Sequence, residues 1–224
     1  MGKIMVTGAL GNVGGYVANY AIDNGQHVKV ADINQDALAK KFGNSAECVL
    51  FDFTDSSTFE NALRDVDRVF IMRPPHLGKP EDLKPFIQAL KQMGNIKLVS
   101  FLSLIGIEHN PIPPHYRIEK YIEKAGLPYC HIRPSFFMQN ISGIHAFEIK
   151  HFDRIVVPVK NALTSFIDAE DIGEIILCGL TIRILAATPT SSSTRGVFST
   201  AMRMFLERCP RMAGLALSST IPDT

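Results

Sequence analysis

Short apolar runs alternate with stretches whose apolar residues recur at three- and four-residue spacing through residues 1–180. The run Ile4-Met5-Val6 has the composition of a buried parallel strand. Beyond a glycine-bearing turn, Val17, Ala18, Ala21 and Ile22 repeat as one face of a helix. Further strands are predicted at 27–31 (HVKVA), 47–51 (ECVLF), 66–72 (VDRVFIM), 96–102 (IKLVSFL) and 128–132 (PYCHI). Helices are predicted after Asp32 (QDALAKKF) and at 56–63, 83–93, 116–124 and 172–180, with extended segments at 155–159 and 165–168. Strands alternating with helices predict an α/β fold: a doubly wound parallel sheet with helices on both faces.

The turn after the first strand changes the picture from fold to chemistry. Gly8, Gly11 and Gly14 follow the strand at three-residue spacing and open the first helix. Glycine lets the chain turn sharply, lets backbone N–H groups approach a pyrophosphate, and lets helix and strand pack closely. The helix N-terminus then favours the negative charge. The second strand ends in Asp32, at the distance expected for the acid that accepts both hydroxyls of an adenosine ribose. Such a carboxylate repels a 2′-phosphate, so NAD is favoured over NADP, with Lys40 and Lys41 as the opposing phosphate candidates. Asp32 is equally placed to cap the helix that follows, and the two roles are compatible.

A net charge of +1 gives no electrostatic case for nucleic acid, and 46% hydrophobic with 20% charged residues is ordinary for a soluble globular chain. The cysteines (Cys48, Cys130, Cys178, Cys209) form no C-x-x-C pair, which fits a reducing cytoplasm better than disulfides or a zinc site; no metal is expected. The longest apolar tract, 172–187, is interrupted by Glu174 and Arg183 and is not expected to span a membrane.

The blocks VTGALGNVG, FDFTD, VFIMRPPH, LVSFLSLIGIE, PPHYRIEKYIEKAGLPYCHIRPSFFMQN and TSFIDAEDIGE, in this order, resemble the NmrA-like branch of the atypical short-chain dehydrogenases/reductases. The resemblance implies a Rossmann-type sheet, and the family's C-terminal lobe is expected to be reduced in this chain, whose residues 181–224 match none of it. It also implies site residues. Thr7, Gly8, Gly11, Asn12, Val13 and Gly14 would hold the pyrophosphate, and Asp32 the adenosine ribose. Asp52 and Phe53 would flank the adenine, and Arg73 and Pro74 would lie beside the nicotinamide-side ribose. Pro134, Phe136, Phe137, Gln139 and Asn140 would wall the nicotinamide and substrate pocket.

Tyr116 and Lys120 form a Y-x-x-x-K spacing, and residues four apart share one face of a helix. Ser103, at a strand end, completes a candidate catalytic set. In a carbonyl reduction Tyr116 would donate the proton, Ser103 would hold the oxygen, and Lys120 would bind ribose and ease the tyrosine's ionisation. Tyr116 follows Pro113-Pro114-His115, which also places it at the helix start, away from the crevice, with His115 as an alternative donor.

From Thr181 residue usage changes. Lysine disappears, acids nearly vanish, and TPTSSST (188–194) reads as a linker before a helical pattern at 197–209. The expected organisation is a nucleotide-binding domain at 1–180 and an atypical tail at 181–224, as a frameshift near Leu180 would produce. Translating the other frames downstream tests that origin, and finding no family-like continuation there sinks it.

The expected function is an NAD(P)H-dependent oxidoreductase reducing a quinone or related carbonyl acceptor. The alternatives are a non-catalytic NAD(P)-binding redox-sensing regulator and a sugar-nucleotide epimerase-like protein. The expected partners are a small-molecule substrate and either a second copy or another protein, with neither nucleic acid nor membrane.

Overall fold

The computed structural model describes residues 2–156, 165–186 and 215–218. Its strands are β1 (Lys3–Thr7), β2 (Val28–Asp32), β3 (Glu47–Leu50), β4 (Val66–Ile71), β5 (Leu98–Leu102), β6 (Tyr129–Pro134), β7 (Phe136–Phe137), β8 (Phe166–Ile167) and β9 (Leu215–Ser218). The helices are α1 (Asn12–Asp23), α2 (Gln35–Phe42), α3 (Phe59–Leu63), α4 (Lys84–Met93), α5 (Pro114–Lys124), α6 (Gln139–Ser142), α7 (Ala146–Phe152) and α8 (Ala169–Ala186). A seven-stranded sheet has the order β3-β2-β1-β4-β5-β6-β9. Every pairing within it is parallel except β6 with β9. This is the expected Rossmann-like α/β architecture, and its strand order reverses between β1 and β4.

The alternation of side chains along each buried strand builds two cores. On one face Ile4, Val6, Val30 and Phe70 pack with Val17 and Ala21 of α1, Leu38 of α2 and Ile172 and Ile176 of α8. On the other, Met5, Val69, Ile71 and Phe101 meet Leu63 of α3, Phe86 and Leu90 of α4, and Ile118 and Ile122 of α5. Fully burying one such aliphatic or aromatic side chain is worth about 1.5–3 kcal/mol, so these two layers set the positions of the loops between them.

Several expected boundaries shift for local reasons. The helix expected at 56–63 is a tight turn at Ser56–Thr58, capped by Asp55, which accepts from the Ser57 amide at 2.9 Å, and then α3. Helix α5 starts at Pro114, because proline at the first helical position loses no hydrogen bond. Helix α8 runs to Ala186, past the expected end at 180. The segment 165–168 supplies β8, which pairs with β7. The linker at 188–194, the helix at 197–209 and most of the segment at 155–159 lie outside the described residues.

Beyond β6 the described surface is strongly apolar. Ile144 is 75% and Phe147 64% exposed, and Phe136, Met138, Phe152 and Phe166 are exposed beside them. The Phe136 ring lies 6.0 Å from Phe166 and 6.4 Å from His145.

Candidate functional site

The carboxyl ends of β1, β2, β3 and β4 enclose a cleft of about 240 Å³, lined by Gly8, Gly11, Asp32, Ile33, Asp52, Phe53, Met72, Pro74 and Leu77 among others. It lies at the reversal of strand order, where ligands of such sheets bind. Thr7 fixes that point. It is fully buried, and its hydroxyl accepts a hydrogen bond from the Met72 amide at 3.0 Å, tying the end of β1 to the end of β4.

Two of the three glycines have distinct physical roles. Gly8 adopts φ +63°, a left-handed conformation that favours glycine, and its amide donates to the Ala31 carbonyl at 3.0 Å. Gly14 sits so close to the turn that a Cβ there would lie 2.3 Å from the Gly8 carbonyl oxygen. Helix α1 has no side-chain N-cap and no acid in its first turn. Its N-cap residue, Gly11, lines the cleft, so the positive end of the helix, with Asn12 and Val13 in its first turn, opens there toward an anion. Behind the turn, the half-buried Lys41 ammonium donates to the Ala9 carbonyl at 3.0 Å. Burial pushes Lys41 below the usual lysine range, against the pull of Asp32. These residues fit a dinucleotide.

Asp32 lines the cleft, and the cap of α2 is Asn34, which accepts from the Ala37 amide at 3.0 Å. The Asp32 carboxylate does not cap α2; among the described residues it accepts a long 3.4 Å bond from the Asn34 amide and attracts the Lys41 charge. Asp52 also lines the cleft, with Oδ1 accepting from the Thr54 amide and hydroxyl, both at 2.8 Å. The Phe53 ring belongs to an aromatic cluster, 4.7 Å from Phe51 and 5.4 Å from Phe86. Arg73 wraps the loop after β4, donating to the Pro74 carbonyl at 3.1 Å and to the Leu77 carbonyl.

The β5–α5–β6 side carries a charged network. Glu119 and Arg133 form a buried two-pronged pair at 2.9 and 2.7 Å. Burial works against the Glu119 charge, but Arg133 and the adjacent Ser103 still hold it below the usual carboxylate range. Lys120 and Tyr116 do share a helix face, with the ammonium 5.7 Å from the tyrosine ring centre. The Lys120 ammonium is bonded to Glu123 at 2.7 Å, and that bond raises its pKa. Glu123 in turn stands 3.5 Å from the buried His131 of β6. Lys120 therefore sits level with the middle of β6, while the end of the helix nearest the strand ends carries His115. The ligand atoms of Glu119, Glu123 and His131 lie within 4.8 Å of one another, but Arg133 and Lys120 already neutralise both carboxylates.

Pro134 ends β6, and Phe136 and Phe137 form β7. Both ends of the Gln139 amide are engaged. Its NH2 donates to Asp168 at 2.8 Å, and its oxygen accepts from the Ala169 amide at 3.0 Å. Asn140 lies next to it in α6. The structure thus gathers Gly8, Gly11, Asp32, Asp52, Phe53 and Pro74 around one cleft, with Thr7 buried behind it, and places Ser103 just beyond β5 and Tyr116 and Lys120 on α5. Sequence reasoning missed the Glu119–Arg133 pair, the Thr7 bridge, and Met72 and Leu77 as cleft walls.

The model of the NmrA-like family matches residues 1–183. Prestalk A differentiation protein A of Dictyostelium discoideum is 33% identical over 177 residues, 77% of this chain and 57% of its own length. The uncharacterized oxidoreductase YesF of Bacillus subtilis is 30% identical over 175 residues, 76% of this chain and 58% of its own. The chain thus spans somewhat over half the length of these relatives. Among solved structures, an NADPH-dependent quinone oxidoreductase of Escherichia coli with NADPH bound superposes with a TM-score of 0.70 at 17% identity, covering 80% of this chain and 64% of that one. A nucleoside-diphosphate-sugar epimerase of Staphylococcus aureus gives 0.69 at 18% identity, covering 80% and 66%. Both likenesses are of fold. The family model covers both the glycine turn and the β5–α5–β6 network, and the chain belongs to the NmrA-like family.

Proposed function

We propose that this protein is an NAD(P)H-dependent oxidoreductase that reduces a quinone or related carbonyl acceptor. The observation that carries the reading is the cleft at the reversal of strand order, lined by an uncapped helix end and by Asp32. The glycine turn and the first turn of α1 hold the pyrophosphate, Asp32 the adenosine ribose, and Asp52 and Phe53 border the adenine. Arg73 and Pro74 stand toward the nicotinamide side, with Ser103 and Tyr116 beside the reacting end and Lys120, bonded to Glu123, further along the same helix face. Bound there, a reduced nicotinamide supplies a hydride. The chain's own part is to orient the two ligands, exclude water with the apolar residues after β6, and hold the acceptor oxygen. Phe136, Phe137, Gln139 and Asn140 form the acceptor-side wall, with Gln139 fixing its position rather than touching the ligand.

The test is NADH and NADPH oxidation over a panel of benzo- and naphthoquinones. Turnover of at least one above the rate without protein is expected. Cofactor binding with no turnover across the panel would replace this reading with that of a redox-sensing regulator. The bond between Lys120 and Glu123 favours that second reading, because it leaves the lysine no free role beside Tyr116.

Between the two cofactors the Asp32 carboxylate supports NAD. Asp32→Ala is expected to weaken NADH binding roughly tenfold, the worth of a hydrogen bond to a charged group. NADPH binding should hold or tighten, because a repulsive charge is removed. Isothermal calorimetry with both nucleotides reads the difference, and equal losses for both would refute the assignment.

A further inference from the structure

Among the described residues, every buried side-chain polar atom without a hydrogen-bond partner belongs to Arg73, Ser103, His115, His131 or Ser135. Buried polar groups are nearly always satisfied, so a group of orphans in one place calls for a ligand or a cost. Arg73, Ser103 and His115 lie around the ends of β4 and β5: the Arg73 charge acts on the His115 ring, and both His115 and Ser103 neighbour Glu119. Ile71 of β4 is opposite Phe101 of β5, and Phe101 is opposite His131 of β6. Arg73 lies two residues beyond the end of β4 and Ser103 directly beyond the end of β5, where its amide donates to the Ile132 carbonyl of β6 at 2.7 Å. His115, in the first turn of α5, stacks on Phe101 with ring centres 5.9 Å apart. Ser135 follows β6 directly.

We propose that Arg73, Ser103 and His115 form one polar subsite that takes an electron-rich oxygen of the acceptor, of the enolate or phenolate type. This rests on the oxidoreductase reading above and adds the substrate class. Ser103 is only 1% exposed, and its hydroxyl, although beside Glu119, has no aligned partner. The buried Nδ1 of His115 likewise has none. Burial, with the Arg73 charge adding to it, pushes the His115 pKa down to about 4, so its ring is neutral at physiological pH and serves as a hydrogen-bonding group. Arg133 nearby is paired with Glu119, so the remaining positive charge is Arg73, whose Nε is buried and unpartnered while its Nη1 is held by the loop carbonyls. A guanidinium beside two neutral hydrogen-bonding groups favours an oxygen that carries negative charge over a neutral one. Leu104 and Ile105, 38% and 49% exposed directly after Ser103, offer apolar contact to the ring that bears that oxygen.

The probes are 2-hydroxy-1,4-naphthoquinone, which is anionic near neutral pH, and its neutral analogue 2-methyl-1,4-naphthoquinone. Their binding is measured by calorimetry alongside NADH and NADPH. The unaltered protein is expected to bind the hydroxyquinone about tenfold more tightly than the methylquinone. His115→Phe keeps the ring stack and removes both nitrogens, and Ser103→Ala removes the hydroxyl. Each is expected to abolish most of that preference and to change nucleotide affinity less than twofold. Equal binding of the two quinones by the unaltered protein overturns the proposal, as does an unchanged preference in both variants. Parallel loss of nucleotide affinity in both variants overturns it too, and gives the orphan groups to the cofactor. If the unaltered protein binds neither nucleotide, the oxidoreductase reading fails, and the quinone preference still decides the subsite. Thermal unfolding of each variant separates a lost contact from a lost fold.

Discussion

Replacing Gly14 with alanine is expected to abolish measurable binding of nicotinamide nucleotides and to destabilise the fold by about 1–3 kcal/mol, the range for forcing atoms into a packed interior. The added methyl carbon would stand 2.3 Å from the Gly8 carbonyl oxygen, 2.8 Å from the Gly8 carbonyl carbon and 3.1 Å from the Thr7 oxygen. All three are backbone atoms of the turn that faces the cleft, and no rotamer change relieves the overlap. Helix α1 must therefore move away from β1, and its open end moves with it. Urea unfolding reads the stability change and calorimetry the binding. Gly179→Ala in α8 is the control, because among the described residues a Cβ there meets nothing within 4 Å and its φ is ordinary. It should be neutral or stabilise by about 0.4–1 kcal/mol through the unfolded chain. If Gly14→Ala binds nucleotide as the unaltered protein does, the glycine turn is not the pyrophosphate site.

The second large effect lies in the buried pair on the other side of the cleft. Glu119→Ala leaves the Arg133 guanidinium in the interior without its two-pronged partner and should cost about 3–5 kcal/mol. Joint replacement, Glu119→Leu with Arg133→Met, should recover most of that loss, since two apolar groups need no solvation. The pair also sets an acid limit. A carboxyl held below its unfolded value contributes stability above the ordinary glutamate pKa of about 4.3, and the contribution fades as pH falls through the lower folded value. The unaltered protein should therefore lose stability on acidification below about pH 4 more steeply than the doubly apolar variant. Unfolding midpoints across pH 3–7 check this, and parallel curves for the two proteins would show that the pair does not govern acid stability.

The parts of the site that were legible in the sequence are those built from neighbours in the chain. Gly8, Gly11 and Gly14 announce themselves because a turn between a strand and a helix is a local object, and Asp32 because it ends the next strand. The pairing of Asp32 with the cap of α2 was equally local, yet Asn34 does that work, two residues further on. What the spacing of Tyr116 and Lys120 could not show was the competition for the lysine. Glu123, three residues along the same helix, claims the ammonium and is itself drawn to His131 across the β5–β6 side. Arg133 finds Glu119 only once α5 is laid along β6, and no one-dimensional pattern reports which of several acids it meets. Gln139 looked like a ligand-facing amide for the same reason. Its partners, Asp168 and Ala169, lie about thirty residues away in sequence and come within reach only when β7 pairs with β8.

That Gln139 clamp has a mechanical consequence. It bolts the segment after β6 to the first turn of α8. Helix α8 lies directly on α1, where a Cβ on Gly173 would fall 2.6 Å from that of Tyr16, and where the Tyr20 hydroxyl donates to Glu170 at 3.1 Å. Helix α1 in turn carries the glycine turn. One continuous beam thus runs from the glycine turn to the segment after β6, and the two stand in fixed register before any ligand arrives. The entropic cost of aligning them is met once, during folding, and not again with every encounter.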